Sequence, residues 1–332
     1  MRADQARGEE GSEEEVTTSV SYRRAQAGIR RRTLSAVSCR NLLEIFAMKD
    51  KLGDRMKEYE ALTESRLMPL LPTLARVDGR SFHTFTRGME RPYDPRMAQA
   101  MVETAQWLAQ ETNACMTYTQ SDEITLVWHA TDPKSQIWFD GRHSKMVSQI
   151  AALATLRFYR ACLELMPEYA EKMPSFDARV WQVPNTTEAA NVFLWREWDA
   201  TKNSITMAAS SVYSHKELHG KNGSEKQEML WQKGINWNDY PAFFKRGSFV
   251  QRRLLKKPFS ANEIERLPEK HEARNNPALM VERSEWRVLE MPPFGSVSNR
   301  EAVIFEGSDP QKRAEANISN DQNQRPTPKK SQ

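Results

Sequence analysis

Cysteine is scarce in this chain: 332 residues carry three, Cys39, Cys115 and Cys162. Their number is odd and no two form a CxxC pair, which speaks against a disulfide framework and a thiolate zinc site. Any metal is therefore expected on oxygen ligands, and the compartment is expected to be reducing, with the cytoplasm as the expected location. Long apolar runs are also missing. No stretch of 18 such residues occurs, so no membrane-spanning helix and no membrane partner are expected. The first residues are too acidic for a usual mitochondrial presequence and lack the apolar segment of a secretory signal. A strong excess of charge is lacking as well. With 48 basic and 44 acidic residues the net charge is +4, which permits a nucleic-acid partner without demanding one. There is no internal repeat and no lone aromatic RNA-stacking signature.

What is present divides into three parts. Residues 1–47 run from an acidic stretch (Glu9 to Glu15) into a basic one (Tyr22 to Arg32) without sustained apolar periodicity, and are expected to be a disordered extension. Residues 307–332 are rich in Asn, Gln, Lys, Pro and Ser and are expected to be a disordered tail. Between them, residues 48–306 are expected to form the catalytic unit, with a core at about 70–185 and an RNA-facing helical region at about 186–306.

Within the core, Thr73 to Asp78 reads as a strand ending at a glycine. A helix is expected from Arg96 to Thr112, with Met97, Met101, Ala105, Leu108 and Ala109 on one stripe and Pro95 at its start. Two short strands, Cys115 to Thr119 and Ile124 to Trp128, flank a polar connection of hairpin length. A second helix is expected over Ser144 to Leu165 and a last strand over Phe176 to Val183. The order βαββαβ is that of a split-βαβ, ferredoxin-like unit: α+β, with an antiparallel sheet and both helices on one face. A helix over about Thr187 to Tyr213 and a mixed segment to Phe305 would pack beside that unit or extend it. Trp181, Trp195, Trp198, Trp231 and Trp237 are read as core, with one able to stack on a base.

The carboxylates fall where such a unit places chemistry. Asp78 ends the first strand, and Asp122 and Glu123 lie in the hairpin. The first and third strands of a split-βαβ sheet are neighbours, so Asp78 and Asp122 are expected side by side at one end. Two carboxylates that close repel unless a cation separates them, and Mg²⁺ is the natural hard cation. Two ions would activate a hydroxyl and steady the leaving oxygen of an in-line displacement. Gly79, with no Cβ, admits a close ligand; its carbonyl is a metal-ligand candidate and the amides that follow suit a triphosphate. Arg80 and His83 add positive charge nearby. Arg142 and Lys145 share the first turn of the second helix, an arrangement suited to an anion. Each feature alone is weak: Asp-Gly is usually a turn, Ser-Asp-Glu a solvated tip, the two cations surface charge, and His83 a structural histidine. Their conjunction points to a polymerase-type palm.

Arg76-Val-Asp-Gly-Arg-Ser-Phe-His83, followed by Phe85, resembles the first signature of the tRNA-His guanylyltransferase superfamily, and Thr119-Gln-Ser-Asp-Glu123 its second. Gly141 to Lys145, Phe176 to Arg179, Glu225 to Glu228 and Phe244 to Gly247 resemble further motifs of it, so the likeness spans roughly Asp50 to Arg253. The resemblance implies 3′–5′ nucleotide addition. ATP or GTP activates the RNA 5′-monophosphate, then the 3′-hydroxyl of an incoming nucleoside triphosphate, usually GTP, attacks and expels AMP. It implies two Mg²⁺ on Asp78, Asp122 and the Gly79 carbonyl, supported by Glu123, so that Asp78, Asp122 and Glu123 are the catalytic candidates. It implies a nucleotide lined by Asp78, Gly79, Arg80, Ser81, Phe82, His83, Ser121 and Asp122, with Arg142 and Lys145 on the triphosphate. The partners implied are tRNA and nucleoside triphosphates, and the assembly a homotetramer, a dimer of dimers. Asn203, Lys216 and Lys226 are candidate RNA contacts.

One stretch departs from the pattern. Members dedicated to tRNA-His carry His-Ile-Asn-Asn-Leu-Tyr-Asn, whereas this chain reads Asp199 to Thr206, with Thr201 at the histidine and only Asn203 matching well. Template-dependent repair of tRNA 5′ ends is therefore the expected role, ahead of adding the extra G to tRNA-His. A palm-type nucleotide cyclase comes next, opposed by Lys202, Lys216, Lys221 and Lys226 in the helical region. A non-catalytic RNA-binding protein comes last, opposed by the intact carboxylates.

Overall fold

The computed structural model describes residues 51–313 apart from 136 and 277, and the expectations for 1–47 and 314–332 lie outside them. Two units divide the chain at Leu62. In the first, residues 51–61 are helical. The second begins at Thr63. Residues 307–313, expected in the tail, are instead tied down: Ser308 and Val303 carbonyls accept from the Gln251 amide at 2.7 Å each, and Asp309 pairs with Arg253 and Arg287.

Strand β1 (Thr73–Gly79) points Ala75 and Val77 to one side and Leu74 to the other. After the short helix α1 (Phe82–Phe85), α2 (Pro95–Thr112) starts where Asp94 accepts the Arg96 amide at 3.0 Å and Pro95 occupies the first turn. The hairpin of β2 (Met116–Gln120) and β3 (Glu123–Trp128) follows. Next come α3 (His143–Leu165) and β4 (Phe176–Gln182). The βαββαβ order is thus present, with boundaries within two residues of expectation. One core layer joins Met97, Met101 and Leu108 of α2 to Met146, Ile150 and Phe158 of α3 against Val77, Ile124, Leu126 and Val180. Fully burying each such side chain stabilises by roughly 1.5–3 kcal/mol, so this layer outweighs local propensity in fixing both helices.

The opposite face is covered too. Helix α4 (Thr186–Ser210) begins at Asn185, whose side chain accepts the Glu188 amide at 2.8 Å. It lays Ala189, Phe193 and Leu194 over Leu74, Met116, Tyr118 and Val127. Helices α5 (His215–Leu218), α6 (Gly223–Gln232) and α7 (Ala242–Arg246) follow it. Leu218 and Leu230 pack on Ala208 and Ala209.

The region after residue 186 is less purely helical than expected. It adds β5 (Ser248–Pro258), then α8 (Ala261–Arg266), β6 (Met280–Leu289) and α9 (Arg300–Phe305). The sheet is six-stranded and antiparallel in the order β4-β1-β3-β2-β5-β6. No helix of the described residues is long and apolar enough to cross a membrane.

Candidate active site at the end of strand β1

Strand register brings the acidic residues together. Asp78 of β1 lies opposite Glu123 of β3 on one side and Asp177 of β4 on the other. Val77 faces the α2–α3 layer, so by alternation this row faces α4. One step back on the same face, Arg76 lies opposite Arg179. Like charges directly opposite each other are unfavourable; neither guanidinium makes a side-chain hydrogen bond or ion pair among the described residues, though Arg76 lies close enough to Glu123 to act on its charge.

The hairpin closes over the end of β1. Ser121 takes a left-handed conformation (φ 50°), and the Gly79 amide donates to the Asp122 carbonyl at 3.1 Å. Asp122 is thereby held next to Asp78. Burial pushes the Asp122 carboxyl up, and the charge of Asp78 adds to it. Glu123 turns to α4, where the Arg196 guanidinium donates to its carboxylate and, at 3.2 Å, to Asp199. Burial pushes Glu123 up as well, opposed by Arg196. Its visible partner is thus an arginine, where the sequence suggested support of a metal.

Gly79 has a packing reason to be glycine: a Cβ there would collide with the Phe82 ring. Phe82 itself is 3% exposed, among Phe85, Phe158 and Phe176 with ring centroids 4.9–5.5 Å away. The ring is therefore core, so any part Phe82 takes in lining a nucleotide falls to its backbone. Arg80, Ser81 and His83 are exposed around it.

Arg142 and Lys145 do not join the carboxylates within this chain. Helix α3 follows β3, which runs away from the Asp78 end, so the helix starts at the far end. There the His143 ring meets the Val180 carbonyl at 3.0 Å, whereas the Phe176 amide, next to Gly79, donates to Thr155 in mid-helix at 3.1 Å. Arg142 pairs with Glu64 at 3.4 Å, and Lys145 lies over the Phe139 ring at 5.0 Å. Of the RNA candidates, Asn203 and Lys216 are exposed, while Lys226 donates to the Thr206 hydroxyl at 3.1 Å. The reading of the tryptophans as core fails for Trp195, Trp198 and Trp231, which are exposed; Trp181 and Trp237 pack against apolar clusters.

Beside Ser121, between α2 and the end of α4, opens a cavity of about 130 Å³ lined by Met89, Tyr93, Met97, Met101, Met207, Phe243 and Phe244, among others. The Tyr93 ring sits 5.2 Å from Phe243 and 4.7 Å from Phe244. Sequence reasoning missed this cavity because its walls come from segments some 150 residues apart.

A family model described as tRNAHis guanylyltransferase matches residues 53–184. The tRNA(His) guanylyltransferase of Schizosaccharomyces pombe is 31% identical over 207 residues, covering 58% of this chain and 77% of the relative. A bacterial tRNA(His) guanylyltransferase-like protein, solved in complex with ATP, superposes with a TM-score of 0.61 at 35% identity, covering 76% of this chain and 96% of the other. This chain belongs to the tRNA(His) guanylyltransferase family. It is a nucleotidyltransferase by that membership. The Saccharomyces cerevisiae tRNA(His) guanylyltransferase structure is also similar, with a TM-score of 0.52 at 25% identity over 57% of this chain and 89% of that one.

The donor set of this family member fits a hard divalent cation. Among the described residues no three His, Cys, Asp or Glu side chains form a ready-made cage. Mg²⁺ needs none, because it binds through one or two carboxylates together with substrate phosphates and water. Asp78 and Asp122 supply two carboxylates at one spot, and a cation between them removes the penalty that burial and mutual repulsion impose on Asp122.

Glu197, next to Arg196, is buried and accepts the Phe294 amide at 2.8 Å; burial pushes its carboxyl up to about 7 from 4.5. A raised carboxyl makes the folded state hold its proton more tightly. That contribution is complete below the unfolded value near 4.5 and is lost as pH rises through about 7. Glu197→Gln keeps an oxygen for Phe294 and removes the ionisation. Thermal melts should therefore find the variant more stable than the parent at pH 8, by up to about 3 kcal/mol, with little difference at pH 4. Equal stabilities at pH 8 would show that Glu197 ionises without cost.

Proposed function

We propose that this protein adds a nucleotide to the 5′ end of tRNA(His) in the 3′–5′ direction, on a ferredoxin-like palm formed by β1 to β4 with α2 and α3. The observation that carries the reading is the joining of Asp78 and Asp122 through the Gly79 amide, on a sheet end that also bears the cross-strand pair Arg76 and Arg179. Two carboxylates beside two guanidiniums form a site for metal-bound phosphates rather than for a neutral substrate.

In this reading the 5′-phosphate oxygen of the RNA attacks the α-phosphorus of ATP and pyrophosphate leaves. The 3′-hydroxyl of GTP then attacks the activated 5′-phosphorus and AMP leaves. Mg²⁺ on Asp78, Asp122 and the Gly79 carbonyl would lower the pKa of the attacking hydroxyl and offset charge on the leaving oxygen. Arg76 and Arg179 neutralise phosphate oxygens. The cavity beside Ser121 takes a nucleobase among methionine and aromatic side chains. The bacterial relative's complex with ATP supports a nucleotide site, and the curated relatives' names support tRNA(His) as the RNA.

One observation favours a second reading, template-guided repair of truncated tRNA 5′ ends. Thr201 stands where tRNA-His-dedicated members carry histidine, and its hydroxyl proton is donated to the Glu197 carbonyl in its own helix at 2.9 Å, leaving no donor to take the histidine's place. The test is incubation of the full chain with Mg²⁺, ATP, labelled GTP and 5′-monophosphorylated tRNA. Addition of one G to full-length tRNA(His) is expected. Extension only of a tRNA lacking its first nucleotide would transfer the role to repair. No RNA product from either would overturn both readings.

A further inference from the structure

The flank of α4 that holds Arg196 also carries an open aromatic ring. Trp195 is 49% exposed, and the Arg196 guanidinium carbon lies 4.7 Å from its ring centre. That guanidinium is not free to wander, because it is bonded to Glu123 and Asp199. One face of the indole therefore rests on a fixed cation, which holds the ring in place. Among the described residues no other aromatic ring stacks on it. The result is a flat apolar surface, held from beneath and open above, one arginine away from the row that contains Asp78.

Its surroundings say what would lie on it. Asp199 and Asn203 follow at helical spacing on the same flank. Arg76 is near enough to Glu123 to influence its charge, and it and Arg179 supply two guanidiniums that make no side-chain hydrogen bond or ion pair among the described residues. An aromatic plate with cations beside it matches a nucleotide unit of RNA, base on the plate and phosphate on the cations. The cavity beside Ser121 lies between α2, Ser204 and Met207 of α4, and Phe243 and Phe244, and Trp195 does not line it. Joining two nucleotides needs one nucleoside on each side of the reacting phosphate. The recessed cavity suits a free nucleotide, which needs contacts on more than one side to be held. The open plate suits a base delivered by a polymer anchored elsewhere.

We propose that Trp195, stacked on Arg196, is the platform for the 5′-terminal base of the acceptor RNA, so that it positions the 5′-phosphate at Asp78 and Asp122. The inference rests on the functional reading above.

The test pairs two RNAs with three proteins. One RNA is 5′-monophosphorylated tRNA(His); the other is the same molecule with an abasic 5′-terminal nucleotide. Binding is measured for the parent chain, Trp195→Ala and Trp195→Phe, with thermal melts to verify folding. Base–aromatic stacking predicts that the parent binds the intact RNA about 10- to 100-fold more tightly than the abasic one. Trp195→Ala should bind both alike at the abasic level, and Trp195→Phe should keep most of the preference. A Trp195→Ala protein that retains the full preference overturns the proposal. So does a parent that extends tRNA yet does not distinguish the two RNAs, and that outcome leaves the functional reading standing. A parent that binds neither RNA overturns both. A Trp195→Ala protein that fails to fold hands the decision to Trp195→Phe, where loss of the preference without loss of stability also counts against stacking.

Discussion

Asp78→Asn is expected to lose about a thousandfold or more of nucleotide addition while melting at the parent temperature or slightly above it. The loss follows from charge. A carboxylate that holds a metal against a developing oxyanion supplies several kcal/mol of transition-state stabilisation, and each 1.36 kcal/mol is a factor of ten. The stability expectation follows from the register, which sets Asp78 directly between Asp177 and Glu123. Removing the central negative charge relieves two cross-strand repulsions worth roughly 0.2–1 kcal/mol each, and asparagine keeps the shape. Asp177→Asn is the control. It relieves one of those repulsions from an exposed position on β4, across β1 from the hairpin that carries Asp122, and should leave most of the activity. Single-turnover addition of labelled GTP to tRNA, with melting curves alongside, reads both effects. An active Asp78→Asn protein, or an equally dead Asp177→Asn, would dissolve the assignment of Asp78 as the metal carboxylate.

The elements that carry this argument were the most legible in the sequence. Alternation in Thr73 to Gly79 and a helical stripe from Met97 to Ala109 are local patterns, and once the order βαββαβ is known the neighbour relation of β1 and β3 follows. Strands β5 and β6 were not legible. Ser248–Pro258 carries Arg-Arg-Leu-Leu-Lys-Lys, and Met280–Leu289 alternates charge with partly buried residues, because beyond Gln251 the two strands pair only with each other and have little core to face.

Arg142 and Lys145 were misplaced for a different reason. Their spacing correctly puts them on one helical turn, but the direction of that helix was set by β3, whose run from Glu123 to Trp128 leads away from the carboxylates. The topology already contained this. Phe82 lies in a signature, with Asp78, Gly79 and His83, that reads as a continuous lining, whereas the rings of Phe82 and Phe85, three apart on a helical turn, both point into the core.

Arg196 is the residue whose loss should cost the fold most. Its side chain is 4% exposed and its partner Glu123 17%. Phe193 and Ala200 frame it on the buried side of α4, so the helical pattern marks position 196 as one that faces inward, though not what an arginine would find there. Arg196→Met keeps the length and apolar stem but strands the Glu123 carboxylate, which burial already pushes up, without its cation. Breaking one side of a buried pair typically costs about 3–5 kcal/mol, whereas replacing both sides by apolar groups is close to neutral. Denaturant unfolding should therefore place Arg196→Met about 3 kcal/mol or more below the parent, and Arg196→Met/Glu123→Met within about 1 kcal/mol of it. A double variant no better than the single would mean that the pair contributes little and that the arginine acts through packing alone. The same double variant separates two roles for Glu123. As a partner that anchors α4 to the sheet, it can be exchanged together with Arg196 and addition survives at a reduced rate. As a metal ligand, it cannot, and the stable double variant would be as inactive as Asp78→Asn.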